Sequence, residues 1–93
     1  MQNILEGSQR EKESNFVPSV KFLSRIMKII LERNSVVKTN LSQDANINYT
    51  RLVNHIDWLE RKDLVKFVVQ DGKVKVVLTG TGRDLAIAFS SIS

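Results

Sequence analysis

Asp71-Gly72 stands between two runs rich in β-branched and aromatic residues, Leu64–Gln70 and Lys73–Thr79. Both central residues of a two-residue hairpin turn must accept positive φ, which makes Asp-Gly the strongest short-range hairpin signal. In the return strand Val74, Val76 and Leu78 alternate onto one face, following the two-residue period of a strand. Lys66, Lys73 and Lys75 occupy the tip and edges of this hairpin.

The segment before the hairpin, Ile47–Lys62, has the period of a helix. Tyr49, Leu52, Ile56 and Leu59 recur near 3.6 residues and predict a face pressed into a core. Thr50, Arg51, Asn54 and Arg61 fall on the other side, and Asn48 is the expected N-cap. Pro18 and Ser19 open an earlier helix to about Asn34, whose stripe of Phe22, Leu23, Ile26, Met27, Ile29 and Ile30 suits a central packing helix. Between the two, Thr39–Ala45 reads as a short helix with Thr39 as N-cap and Leu41 and Ala45 on one face. Ser35–Lys38 is one strand rung or a connector, and Asn46-Ile47-Asn48 is a corner. After the hairpin, Gly80, Thr81 and Gly82 break the strand. Arg83 to about Ile92 then forms a last helix striped by Leu85, Ala88, Phe89 and Ile92.

Two helices joined by a short corner, a hairpin and a closing helix define an α+β class: a winged helix-turn-helix with a three-helix core, a two-stranded wing and a C-terminal helix. It spans residues 18–93. Residues 1–17 carry mixed charge and few apolar side chains, too few to offset the entropy of ordering. They are expected to form a flexible tail or a loosely held helix.

With 93 residues, 42% hydrophobic and 26% charged, the chain has material for one domain around one core. A net charge of +4 and a pI near 9.7 favour a polyanionic partner, although lysine-rich domains without a nucleic-acid role are common. The absence of cysteine excludes disulfides and thiolate metal sites and suits a reducing interior. No apolar run approaches the roughly 20 residues of a membrane span, and Met1–Asn15 lacks the order of a signal peptide. A cytoplasmic protein without a membrane partner is therefore expected. An enzyme is not: the acidic residues are scattered, and Gly80-Thr81-Gly82 lacks the lysine and further glycines of a phosphate-cradling loop. The sequence shows no sign of a cofactor, metal or small-molecule ligand.

The chemistry instead points to double-stranded DNA. Arg51 and Asn54 project from the polar side of the third helix, and these residue types pair bidentately with guanine and adenine edges. The alternative for both is a solvated helix face. Thr50 and Asn48 suit phosphate or base contact as well as capping. Lys38 and Thr39 lie at the start of the second helix, whose N–H groups favour anions. Lys66, Lys73 and Lys75 suit the adjacent backbone and also guard a sheet edge. His55, the sole histidine, has no partner spaced for metal binding and reads as a phosphate contact or an exposed rim residue. Trp58 lies off the stripe, placed to stack on a base or to pack against the wing or a second copy. Leu85, Phe89 and Ile92 form an apolar stripe that pairs two copies in a homodimer or covers the monomer's own core. A winged helix serving as a protein–protein module is the alternative function.

Lys38-Thr39-Asn40-Leu41, Ala45 to Leu52, His55 to Leu59 and Lys62-Asp63-Leu64-Val65, in this order, resemble the archaeal winged-helix DNA-binding proteins of the Sso10a type. Leu78-Thr79-Gly80-Thr81-Gly82-Arg83 is similar to the Leu-Thr-x-x-Gly-Arg step by which many winged-helix regulators leave the wing. The resemblance covers about residues 20 to 90. It implies an archaeal or archaeal-virus DNA-binding protein, a transcription regulator or chromosomal protein, usually dimeric. Two positions depart from the pattern. Asp63 stands where the family has glycine, so a left-handed residue is expected without glycine. The family often carries a long C-terminal helix that forms an antiparallel coiled coil. This sequence stops at Ser93, leaving about three turns, so that dimer mode does not carry over.

Overall fold

The computed structural model describes residues 16–92, the last by its helical backbone only. Its first helix, α1 (Val20–Arg33), turns Leu23, Ile26, Met27 and Ile30 inward, the i, i+3, i+4, i+7 spacing of a buried stripe. Ser19 caps it by accepting the Phe22 amide at 3.3 Å, so Pro18 stands just outside the cap and not in the first turn. Asn34 ends α1 at a φ of 73°. The tail expected over 1–17 lies outside the described residues as far as Asn15. Phe16 is half-buried, with its ring edge-on to His55 at 5.0 Å.

The second helix, α2 (Lys38–Ala45), starts one residue earlier than its sequence suggests. Its N-cap is Val37, which offers no side-chain bond, and Thr39 lies exposed in the first turn. The reason is the preceding residue. Val36 is pinned to Val76 by a pair of backbone hydrogen bonds of 3.2 and 2.8 Å, which fixes where the chain can begin to coil. Ser35–Lys38 thus supplies one strand rung. Arg25 reaches from α1 to donate to the Ala45 carbonyl at 2.7 Å, a cation at a helix C-terminus. Asn46 then takes the left-handed conformation (φ 56°, ψ 49°) without glycine. Ser42 closes the corner, donating its hydroxyl to the Ile47 carbonyl at 2.6 Å, while its own carbonyl accepts the Ile47 amide at 3.0 Å.

The third helix, α3 (Tyr49–Arg61), buries Leu52, His55, Ile56 and Leu59. Two residues exchange places relative to expectation: Tyr49 is 48% exposed and His55 only 4%. Tyr49 lies in the first turn of the helix, on the flank of the stripe opposite His55. His55 is covered because Phe16, Ser19 and Phe22 close over it. Asp63 takes a φ of 60° just past the helix. The Asp63 amide bonds to Glu60 and the Leu64 amide to Leu59, both at 2.9 Å, the paired bonds of a Schellman ending.

Strands β1 (Val65–Gln70) and β2 (Lys73–Leu78) pair antiparallel from Val65↔Leu78 to Gln70↔Lys73. Asp71 and Gly72 turn at φ 54° and 73°. The register places Val65, Phe67, Val76 and Leu78 on the core side, with Val69 and Val74 continuing that face out to the exposed tip.

The last helix, α4 (Gly80–Ile92), begins in the stretch expected to be a break. Thr79 caps it, accepting the Gly82 amide at 3.0 Å while donating its hydroxyl to the Asp63 carbonyl at 2.7 Å. Ala86 is wholly buried, and Leu85 and Phe89 pack half-buried on the core with α1 behind them. They therefore cover their own monomer, and Ile87 is the large apolar residue α4 leaves exposed. The Ile92 side chain lies outside the described residues.

Gly82 is buried against Leu64 so closely that a Cβ would fall 1.8 Å from the Leu64 carbonyl oxygen, whereas one at Gly80 would meet open space. Gly82→Ala is expected to destabilise the fold by about 3 kcal/mol or more, and Gly80→Ala to stay within about 0.5 kcal/mol of wild type. Paired urea unfolding curves check this. Equal midpoints would mean that the close approach does not hold the joint.

Candidate nucleic-acid interface

Because α3 spends one side on the core, its other side is set by spacing alone: Thr50, Arg51 and Asn54 are exposed. Tyr49 joins them in the first turn. The sequence pattern conceals it because a helical wheel reports direction and not how far the core extends. Asn48, just ahead, accepts the amides of Thr50 at 2.9 Å and Arg51 at 3.4 Å. Its side-chain oxygen is thus committed to capping, as expected, which leaves the amide nitrogen for outward contact.

His55 is a correction. Neither a rim residue nor a phosphate ligand, it lies buried with both ring nitrogens engaged, Nε2 with the Ser19 amide at 3.0 Å and Nδ1 with the Arg51 carbonyl at 2.7 Å. Trp58 is half-buried against the core, with the Lys62 ammonium 5.6 Å from its ring centroid.

On the wing, the pairing register decides which lysines share a face. Lys66, Lys75 and Lys73 stand opposite the Phe67 and Val76 side, together with Val68, Val77 and Gln70. Lys66 and Lys73 are exposed and Lys75 half-buried. Lys38 is drawn toward the same element, its ammonium 4.7 Å from the Phe67 ring centroid, while Thr39 stays exposed beside it. An open cavity of ≈ 270 Å³ lies where residues 16–19 meet α3, lined by Phe16, Val17, Phe22, Arg51, Asn54 and His55. Among the described residues no cluster of His, Asp or Glu is arranged to hold a metal, and no helix is long and apolar enough to cross a membrane.

A corner of this kind, an amphipathic helix after it and a hairpin beyond match a family described as Winged helix-turn-helix over residues 19–93. The chain belongs to this family. No curated protein matches the chain. Among solved structures, the winged helix is similar to a transcriptional regulator homologue from Pyrococcus horikoshii OT3, with 28% identity over 71% of this chain and 69% of that one and a TM-score of 0.61. It is also similar to a MarR family transcriptional regulator from Silicibacter pomeroyi DSS-3 (24% identity, 77% and 52% covered, TM-score 0.70) and to a MarR family protein from Bacillus stearothermophilus (20%, 98% and 64%, TM-score 0.69). At these identities the MarR likenesses are likenesses of fold. The chain spans about half the length of the Silicibacter regulator.

Asn48→Ala removes the cap of the winged helix's third helix. The expected cost is about 1 kcal/mol of stability, measured by urea denaturation. No shift in midpoint would mean that the first turn of α3 does not depend on this side chain.

Proposed function

We propose that this protein is a transcription regulator that binds double-stranded DNA with sequence preference, with α3 in the major groove and the wing on the adjacent backbone. The observation that carries the reading is the exposed set of Thr50, Arg51 and Asn54 at the N-terminal half of a helix-turn-helix's second helix, the part from which such helices contact base edges. The lysine face of the wing adds the phosphate-contacting charge on which affinity for DNA depends. Lys38, Thr39 and the Asn48 amide fit the phosphates beside the groove. The same reading takes the protein as a cytoplasmic homodimer without cofactor, since one domain reads only a short half-site, and as a relative of the Sso10a-type DNA-binding proteins. Leu85 and Phe89 are half-buried on their own core, and among the described side chains of α4 the exposed Ile87 offers a further surface for such pairing.

A protein–protein role has one observation in its favour: Val69 and Val74 form an exposed apolar cross-strand pair at the wing tip. Salt dependence separates the two readings. DNA affinity should fall steeply with salt, and Lys73→Ala should weaken all duplexes alike, lowering the salt slope by about 1. Arg51→Ala with Asn54→Ala should erase about 1–3 kcal/mol of preference at each base pair these side chains read. Selection of bound sequences from a random duplex pool, followed by gel shifts, measures both. No duplex retained even at low salt would sink the DNA reading, and an unchanged best site in the double variant would remove α3 as the reader.

A further inference from the structure

His55 is held between two backbone groups that specify its protonation. The Ser19 amide can only donate, so Nε2, 3.0 Å away, must accept. The Arg51 carbonyl can only accept, so Nδ1, 2.7 Å away, must carry the hydrogen. One form of the ring satisfies both, the neutral Nδ1–H tautomer. Through it the third helix is tied to the cap of the first, because Ser19 is also the residue whose hydroxyl accepts the Phe22 amide. Phe16 and Phe22 press on the same ring, at 5.0 and 5.4 Å. Arg51 and Asn54 line the cavity formed there, so the shoulder of the reading surface and the latch share one wall.

The imidazolium carries hydrogens on both nitrogens. It would set Nε2–H against the Ser19 N–H, two donors facing each other in a part-buried contact. Arg51 on α3 lines the same cavity as the ring, and Arg25 on α1 lies 5.3 Å from the centroid of Phe22. Residues 16–19 carry no charge, and no carboxylate lines the cavity. The described lining of the cavity thus offers no carboxylate to an added proton, and the contact that can give way is the one to Ser19.

We infer that His55 is a positioning residue: its neutral ring latches residues 16–19 onto α3 and so sets the Arg51–Asn54 surface, and its protonation releases the segment and weakens DNA binding. The second half rests on the DNA reading above; the latch itself does not. The sign is distinctive. A new positive charge beside phosphate-binding residues would by itself strengthen association, whereas loss of the latch weakens it.

The experiment has two arms on the full chain. In the free protein, nitrogen NMR of the imidazole should show the Nδ1–H tautomer near pH 8. On acidification to the pH at which the ring's own nitrogen signals report protonation, the amides of Phe16, Val17 and Ser19 should shift together with those signals. In the second arm, affinity for the duplex selected from the random pool should fall roughly tenfold over the same acidification, the scale of one buried donor left without an acceptor. His55→Gln offers donor and acceptor groups that do not titrate, and should bind about equally at both pH values. An Nε2–H tautomer, or segment amides indifferent to the ring, would overturn the latch. Wild type that binds more tightly at low pH, or that weakens in parallel with His55→Gln, would overturn its effect on DNA. Failure to bind any duplex at either pH would reject the DNA reading and leave the first arm to decide the latch.

Discussion

The wing, α3 and the last helix meet at one close contact, where Gly82 lies against the carbonyl of Leu64. Around it the bonding is continuous. The Asp63 carbonyl takes the Thr79 hydroxyl, the Leu64 carbonyl takes the Thr79 amide at 3.1 Å, and Thr79 in turn caps α4 through the Gly82 amide. A strand pair alone is marginal in water and takes its stability from what it packs on. Here its two open ends are stapled to the end of α3, and its second strand is held again by Val36. The wing is therefore tied to the end of α3 by the Thr79 bonds and held a second time at Val36. The Leu-Thr-x-x-Gly-Arg sequence is the covalent record of that joint: threonine for the double bond, glycine where no Cβ fits.

Much of this is legible in the sequence because it depends on local periodicity and turn chemistry. The stripes of α1 and α3 and the Asp71-Gly72 turn need only spacing and the tolerance of each residue for positive φ, whereas the left-handed Asp63 follows from the resemblance, whose family has glycine there. What is not legible depends on cover. Tyr49 and His55 lie on opposite flanks of the same stripe, and no rule of spacing says that residues 16–22 will fold over one flank and leave the other open. Thr39 looks like a cap on propensity, yet the position of Val36 in the sheet decides where α2 begins. Gly80 to Gly82 read as a break for the same reason: close backbone approach between residues 18 apart (Leu64 and Gly82) leaves no local trace.

The Asn and Asp residues of the turns show how the chain manages its corners. Asn34, Asn46, Asp63 and Asp71 are the described non-glycine residues at positive φ, each a side chain that tolerates the left-handed region at modest cost. Asn46 makes the helix-turn-helix corner in place of the glycine usual there, so its pattern is weak in sequence while its geometry is intact. Glycine is required instead at Gly82, where space and not φ forbids a side chain.

The same accounting narrows the interface. Of the side chains that suit DNA by residue type, His55 is spent on the joint between α1 and α3, the Asn48 oxygen on capping, and Lys38 is drawn over Phe67. Thr39, Thr50, Arg51, Asn54, Lys66 and Lys73 are exposed, with Tyr49 added beside them. These divide by chemistry. The lysines and Thr39 suit phosphate oxygens, which carry no sequence information, whereas the Arg51 guanidinium donors and the paired donor and acceptor of the Asn54 amide suit base edges. Those two also border the cavity over His55, so on the DNA reading the residues that would select a sequence are the ones whose footing depends on a single neutral ring.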